Sequence, residues 1–319
     1  MKFKKLLLIP TALFITACGP TSTPSTPSAE PSIEPSVEPS IEPQEKKIDL
    51  IVMAGQSNME GHSWNKELQK HVSVEKYDEY IEGYEDIKIC YKVGCYGNNN
   101  NSDGKFRKVR IGEGCNVSMF GPELGLAEYL NEIKDTLQNE VALVKFAVGA
   151  TTIYKEWRSP SSVTSGFDKG YLYTPFINYV AKAVATLEEE GYTPTVKAVC
   201  WMQGESDGTY ASYYEELEDN FIKDVVNDLA IYNEEETIKF IDAGIYDASW
   251  VQNYHIVNRS KKLNAAKDDE NRFYFDTIEA GLDYRNEPEG SPDLAHFDSE
   301  DMIELGRLFG STLIENAII

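Results

Sequence analysis

The chain is short of the residues that build metal centres and basic interfaces. Its 319 residues include four histidines and five cysteines, with no Cys-x-x-Cys pair and no histidine at ligand spacing beside a cysteine. Sequence spacing of that kind argues against a zinc site. Lysine and arginine total 30 against 53 aspartates and glutamates, a net charge of −23, and the basic residues are not clustered. Nothing therefore neutralises a phosphate backbone, which argues against a nucleic-acid partner. The acidity implies a solvated surface and names no partner. The apolar stretch Leu6–Ile15 is too short for a durable transmembrane helix. From Gly19 to about Gln44 aromatics are missing, and Pro, Ser, Thr and Glu dominate. Such a segment cannot bury a core and reads as an extended tether, partly polyproline II. Its Ser-Ile/Val-Glu-Pro repeat over 32–43 is too short for a solenoid.

The N-terminus has Lys2, Lys4 and Lys5, then the apolar stretch, then Thr16-Ala17-Cys18. That order is a secretory signal. Its ending, Ile15-Thr16-Ala17-Cys18, resembles the lipobox of bacterial lipoproteins. The resemblance implies a signal peptide over 1–17 and a lipidated Cys18 that becomes the first mature residue. The tether over 18–46 would then hold a domain at 47–319 off the outer face of the cell membrane. Export permits disulfides, so one bridge is expected among Cys90, Cys95 and Cys115, with no pair singled out. Cys200, inside an apolar run, reads as a buried free thiol.

From about residue 47 the chain alternates strand-like and helix-like stretches. Strands are expected at Ile48–Met53, Val141–Val148, Val196–Met202, Ile238–Ile245 and Arg272–Asp276. Helices are expected from Gly121-Pro122-Glu123, then over about 174–190, 210–232, 250–266 and 299–316. Pro122 suits a first helical turn, and Glu123 complements the helix dipole. Between the first strand and the first helix, Asp86–Tyr91 and Phe106–Ile111 suggest a hairpin around an Asn98–Asn101 loop tip. Alternation of this kind implies an α/β domain with a mainly parallel five-stranded sheet covered on both faces. Right-handed crossovers then bring every strand's carboxyl end to one rim, where open α/β sheets bind ligands.

That rim collects the chemistry. Gly55-Gln56-Ser57-Asn58-Met59 follows the first strand, Gly149 the second and Gln203-Gly204-Glu205-Ser206-Asp207 the third, while Asp293 and His296 sit in a loop after the last. A serine hydroxyl needs a base to take its proton. Among the histidines, His62 and His71 lie in the irregular segment and His255 in a helix, which leaves His296, with Asp293 three residues before it. In an Asp-x-x-His turn the carboxylate can reach one ring nitrogen and leave the other for the serine. Ester hydrolysis also needs donors for an oxyanion; the candidates are the main-chain N–H groups of Ser57 and Gly149 and the Gln203 amide. Glu205 could orient Gln203 or a neighbouring loop.

Gly55-Gln56-Ser57-Asn58-Met59, Gly121-Pro122-Glu123, Gly149-x-x-x-Ile153, Trp201-Met202-Gln203-Gly204-Glu205-Ser206-Asp207 and Asp293-Leu294-Ala295-His296 occur in that order. Together they resemble the sialate O-acetylesterase-like carbohydrate esterases, a branch of the SGNH (GDSL-like) hydrolases, over about 48–316. The resemblance implies a three-layer flavodoxin-like fold and removal of acetyl groups from sugars such as acetylxylan or sialic acids. By match, Ser57 is the nucleophile, His296 the base and Asp293 its partner, with Ser57, Gly149 and Gln203 as oxyanion hole. Gln56, Asn58, Glu123 and Glu205 support them, and no metal or organic cofactor is implied. The wider superfamily has asparagine where this chain has Gln203. Its third triad member is also less uniform, so Glu205 or a backbone carbonyl could share that role with Asp293. The partners implied are an acetylated carbohydrate and the membrane. Aromatics over 154–214 (Tyr154, Trp157, Phe167, Tyr171, Tyr173, Tyr210, Tyr213, Tyr214) could stack on sugar or simply pack. Two rival readings are a lipase or thioesterase, disfavoured by the acidic surface, and a non-catalytic sugar-binding lipoprotein.

Overall fold

A computed structural model describes residues 45–319 except 96 and 97, and the side chains of 95–99 are likewise left aside. The expected signal peptide, the expected lipidation site Cys18 and the expected tether up to residue 44 lie outside the described residues. The elements, in chain order, are β1 (Lys46–Gly55), α1 (Ser57–Glu60), β2 (Ser63–Trp64), α2 (Asn65–His71), α3 (Val74–Glu82), β3 (Tyr84–Cys95), β4 (Asn98–Asn101), β5 (Arg107–Val109), β6 (Met119–Phe120), α4 (Pro122–Glu132), β7 (Glu140–Ala147), α5 (Tyr173–Glu189), β8 (Tyr192–Met202), α6 (Ala211–Leu229), β9 (Lys239–Ala243), α7 (Tyr254–Ala265), β10 (Arg272–Phe275) and α8 (Ser299–Glu315).

The main sheet runs β10-β9-β8-β1-β7-β3-β4, with β5 also on β3. All pairings from β10 to β3 are parallel. The β-branched run of β1 is buried on both faces because β1 is the middle of this stack. Helices cover the sheet in two groups, α4 with α8 and α5 with α6 and α7, giving an α/β fold of three layers. Glycines let α4 and α8 meet closely: a Cβ on Gly125 would lie 1.9 Å from the Ile303 carbonyl oxygen, and one on Gly306 2.1 Å from that of Pro122.

The five expected strands are all present, joined by a sixth parallel strand. β3 contains the first arm of the expected hairpin, and β5 does pair with it antiparallel. The arm does more than form a hairpin, because Ile87–Val93 also pairs parallel to β7 inside the main sheet. The asparagine run is strand β4 and not a loop tip. Asn100 explains part of this: its Nδ2 donates to the Gly112 and Gly114 carbonyls at 2.9 and 3.0 Å, which satisfies those loop acceptors while its backbone stays extended.

Cys90 is a thiol, so a bridge among the three cysteines would join Cys95 to Cys115, and the Cys95 side chain lies outside the described residues. The Cys90 thiol lies instead 3.2 Å from the Tyr179 hydroxyl and accepts from Ser102 Oγ at 3.6 Å. Cys200 is a fully buried thiol in β8, and burial raises its pKa.

Candidate active site

Strand register assembles the site. Gly55, the last residue of β1, pairs with Ala147 of β7 on one side and Met202 of β8 on the other. The chain is stapled just beyond: Val148 N–H donates to the Gly55 carbonyl at 3.1 Å, and Gln56 N–H to that of Met202 at 2.9 Å. Ser57, Gly149 and Gln203 therefore leave three adjacent strand ends. Gly55 cannot be another residue here, since its φ is 152° and a Cβ would lie 1.9 Å from the Met202 carbonyl oxygen. This tight turn sets Ser57 as the first residue of α1, buried except for 8 % of its surface.

Asp293 and His296 meet as the Asp-x-x-His spacing implies. Asp293 Oδ1 accepts from the main-chain N–H groups of Ala295 and His296 at 2.7 and 3.0 Å, and Oδ2 lies 2.8 Å from His296 Nδ1. Holding the proton on Nδ1 leaves the Nε2 lone pair available as a base. Burial pushes the Asp293 pKa up, but the His296 hydrogen bond and charge outweigh it and hold the carboxyl below its usual range. For His296, burial lowers the pKa; the Asp293 bond opposes this, and the neighbouring His62 ring adds to the lowering. The loop itself is clamped. Trp250 Nε1 donates to the Leu294 carbonyl at 2.8 Å, the Tyr246 hydroxyl to that of Ala295, and Ser63 Oγ to that of Phe297 at 2.7 Å.

Asn58 ties this loop to the serine turn. Its Oδ1 accepts from Phe297 N–H at 3.2 Å, and its Nδ2 donates to Glu205 Oε1 at 2.7 Å. The neighbours in sequence of Ser57 and His296 are thus bonded to each other. Glu205 orients Asn58 and makes no hydrogen bond to Gln203 or His296 among the described contacts. Burial raises its pKa, with the Asn58 bond opposing.

The two other proposed donors already have acceptors. Gly149 N–H donates to Glu60 Oε2 at 2.8 Å. The fully buried Gln203 directs Nε2 at Asp207 Oδ2 (2.5 Å), the Thr151 carbonyl (3.0 Å) and Gln56 Oε1 (3.2 Å), and its Oε1 accepts from the Tyr214 hydroxyl at 3.0 Å. Gln56 Oε1 also takes the N–H groups of Gly204 and Ser206, both at 3.3 Å, which fixes the turn after β8. Glu123 does not face solvent at the helix start. It is fully buried, accepts Gly121 N–H at 2.9 Å and pairs with Lys145 Nζ at 2.6 Å. Lys145 also donates to the main-chain carbonyls of Glu60 (3.1 Å) and Glu113 (2.7 Å), so this buried pair holds the end of α1.

Sequence reasoning passed over four residues here. Asp207 binds the Ile153 and Tyr154 N–H groups at 2.9 and 3.1 Å as well as Gln203, and burial pushes its pKa up to about 7. Lys145 looked like one residue of a strand. Glu60 and His62 form a second carboxylate–histidine pair at 3.2 Å, and the His62 ring stacks on His296 with centroids 4.2 Å apart. The available signal was proximity, since both lie within five residues of Ser57. Of the aromatics, Trp157, Tyr173 and Tyr214 are core. Tyr154 stacks on Tyr210 at 4.0 Å beside the exposed Tyr213 and Phe167.

The family model described as "carbohydrate esterase, sialic acid-specific acetylesterase" matches residues 47–315. The chain belongs to this family. It is accordingly a carboxylic ester hydrolase of the carbohydrate acetylesterase type. Solved structures share the fold of this esterase at low identity. NanS is 14 % identical with a TM-score of 0.58, covering 85 % of this chain and 98 % of that one. A protein from Arabidopsis thaliana is 19 % identical with a TM-score of 0.54, covering 84 % and 98 %. A carbohydrate acetylesterase from Xanthomonas citri is 14 % identical with a TM-score of 0.52, covering 84 % of this chain and 56 % of that one. No curated protein matches the chain.

Proposed function

We propose that this esterase removes acetyl groups from sugars, acetylated xylan or a similar glycan, by a Ser57–His296–Asp293 mechanism. The carrying observation is the Asn58–Phe297 bond, which couples the serine turn to the loop in which Asp293 holds His296. Ser57 Oγ attacks the acetyl carbonyl carbon while His296 Nε2 takes its proton. The C–O bond to the sugar breaks, and His296 returns that proton to the departing sugar oxygen. Water then gives a proton to His296 and its oxygen to the acetyl carbon; the bond from that carbon to Ser57 Oγ breaks, His296 returns the proton to Oγ, and acetate leaves. The N–H of Ser57 opens α1, where helix N–H groups have no partner within the helix, and is the first oxyanion donor. Gly149 N–H and Gln203 Nε2 serve as the others on exchanging Glu60 and one of the three Gln203 acceptors for the oxyanion.

Sialic acid esters are the second reading, favoured by the family's description. Acetate release from acetylated xylan, acetylated oligosaccharides and O-acetyl sialic acids, with Ser57→Ala as blank, separates the two. Release from none of them, with binding retained, would favour the sugar-binding lipoprotein. The N-terminal sequence supports anchorage through Cys18 at the outer face of the cell membrane. Labelled palmitate should enter the wild-type chain and not Cys18→Ser; equal labelling would refute the anchor.

A further inference from the structure

We propose that Trp250 and Leu294 form an apolar platform for the sugar ring that carries the acetyl ester, on the leaving-group side of the site. This platform presupposes the Ser57–His296 mechanism and adds where the sugar lies. Trp250 comes from a fourth strand end. β9 stops at Ala243, parallel to β8, and the chain crosses the same rim before α7 begins at Tyr254. Within that stretch Tyr246 is buried, whereas Trp250 keeps 47 % of its surface exposed. Leu294, between Asp293 and His296, is also 47 % exposed.

The two residues are built as a unit. Trp250 Nε1 donates to the Leu294 carbonyl at 2.8 Å. Tyr246 packs its ring against the indole with centroids 6.1 Å apart, and its hydroxyl donates to the next carbonyl, that of Ala295. The polar edge of the indole is thus satisfied within the protein, and its exposed remainder is hydrocarbon. A second observation points to a ligand. Leu294 has a φ of 57°, a left-handed conformation that glycine or asparagine adopts at less cost. Its exposed side chain gains no burial in the free protein. Leucine at this turn position is unfavourable on both counts, and contact with an apolar ligand face recovers the burial.

The reaction itself decides the occupant. His296 returns its proton to the departing sugar oxygen, so the carbon that bears this oxygen must lie next to the His296 ring. The acetyl oxygen points the other way, toward the donors that leave β7 and β8. Leu294 belongs to the loop of His296, and Trp250 is tied to that loop. The other exposed aromatics, Phe167 and Tyr213, surround Tyr154, whose N–H is held by Asp207 beside Gln203, on the oxyanion side. A pyranose ring presents C–H groups on its faces and hydroxyls around its edge. A flat apolar surface therefore takes a face and leaves the hydroxyls to water. Such a platform suits an acetyl group on a ring hydroxyl, as in acetylated xylan, over one on the flexible polyol tail of a sialic acid.

The test compares acetylated xylooligosaccharides with glycerol triacetate, whose leaving group has no ring, and reads the ratio of the two kcat/KM values. Trp250→Ala should lower that ratio by at least about 10-fold, mainly through KM. Trp250→Phe loses the donor to Leu294 but keeps a ring face, so the ratio should move by less than about 3-fold even where a looser loop slows both substrates. Leu294→Asn, which suits the left-handed backbone, should lower the ratio by about 3-fold and keeps the test valid if Trp250→Ala fails to fold. Tyr213→Ala, in the other aromatic cluster, should leave it unchanged. An equal loss on both substrates in Trp250→Ala would reduce the indole to a clamp of the His296 loop and overturn the platform. So would a wild type that cleaves glycerol triacetate or O-acetyl sialic acid but no xylan ester, with the Ser57 mechanism intact. Full activity of Ser57→Ala on both substrates would instead overturn that mechanism, and the platform with it.

Discussion

Two histidines lie face to face at the rim of this sheet, each with its own carboxylate, and they differ in what holds them. His296 sits in an Asp-x-x-His turn whose carboxylate also binds two main-chain N–H groups of the same loop. His62 is paired with Glu60, which is shared with Gly149 N–H and belongs to the turn that carries Ser57. The first pair is a self-contained device with a free ring nitrogen for proton transfer. The second is a junction between the serine turn and the end of β7. Stacking alone does not make two histidines equivalent; the use of each carboxylate separates their roles.

The largest expected effect sets the two rings apart. Ser57→Ala and His296→Ala should each lower kcat for acetate release on the order of 10³-fold or more. His62→Gln should lower kcat/KM by less than about 10-fold, because His62 takes no proton in the reaction. A reversal of that order would exchange their roles. Next, the carboxylates can be compared. Asp293→Asn should cost on the order of 10²- to 10⁴-fold in kcat, by loss of the tautomer it enforces, and Glu60→Gln should cost much less. Weakening the coupling between the serine turn and the histidine loop comes third. Asn58→Ala should lower kcat by about 10²-fold through misplacement while leaving KM little changed. It should also lower Tm, since Glu205 loses its buried partner.

The smallest effect is in the pH profile. Catalysis needs a neutral His296, and burial holds its pKa below the ordinary 6.5. The ring therefore stays neutral into mildly acid solution, and kcat/KM should fall only as pH drops through a midpoint below 6.5. Asp293 opposes that lowering, so the residual activity of Asp293→Asn should show an acid limb at still lower pH. A limb above 6.5 in the wild type, or an upward move in the variant, would contradict the assigned partnership.

Much of the fold could be read from the chain because its strands are buried on both faces and alternate with helices at regular intervals. The motifs at 55–59, 203–207 and 293–296 were legible because each packs its chemistry into a few consecutive residues. What escaped is long-range. The parallel pairing of Ile87–Val93 with β7 depends on a partner more than fifty residues later, and local pattern shows only its hairpin with β5. Glu123 does stand in the first turn of α4 as expected, but its ion pair with Lys145 joins different elements and was not visible. Likewise Glu205 could be seen to matter but not whom it holds: Asn58 is 147 residues away. That Cys90 stays outside the expected disulfide was likewise hidden, because the Tyr179 hydroxyl it faces is 89 residues away.

The most direct measurement is covalent labelling with an alkyl fluorophosphonate, followed by mass spectrometry of the peptide that carries the label. The account predicts one equivalent on Ser57, loss of acetate release in proportion to labelling, and labelling slowed by orders of magnitude in His296→Ala. Full acetate release with Ser57 unlabelled, or labelling of another residue that abolishes activity, would contradict it.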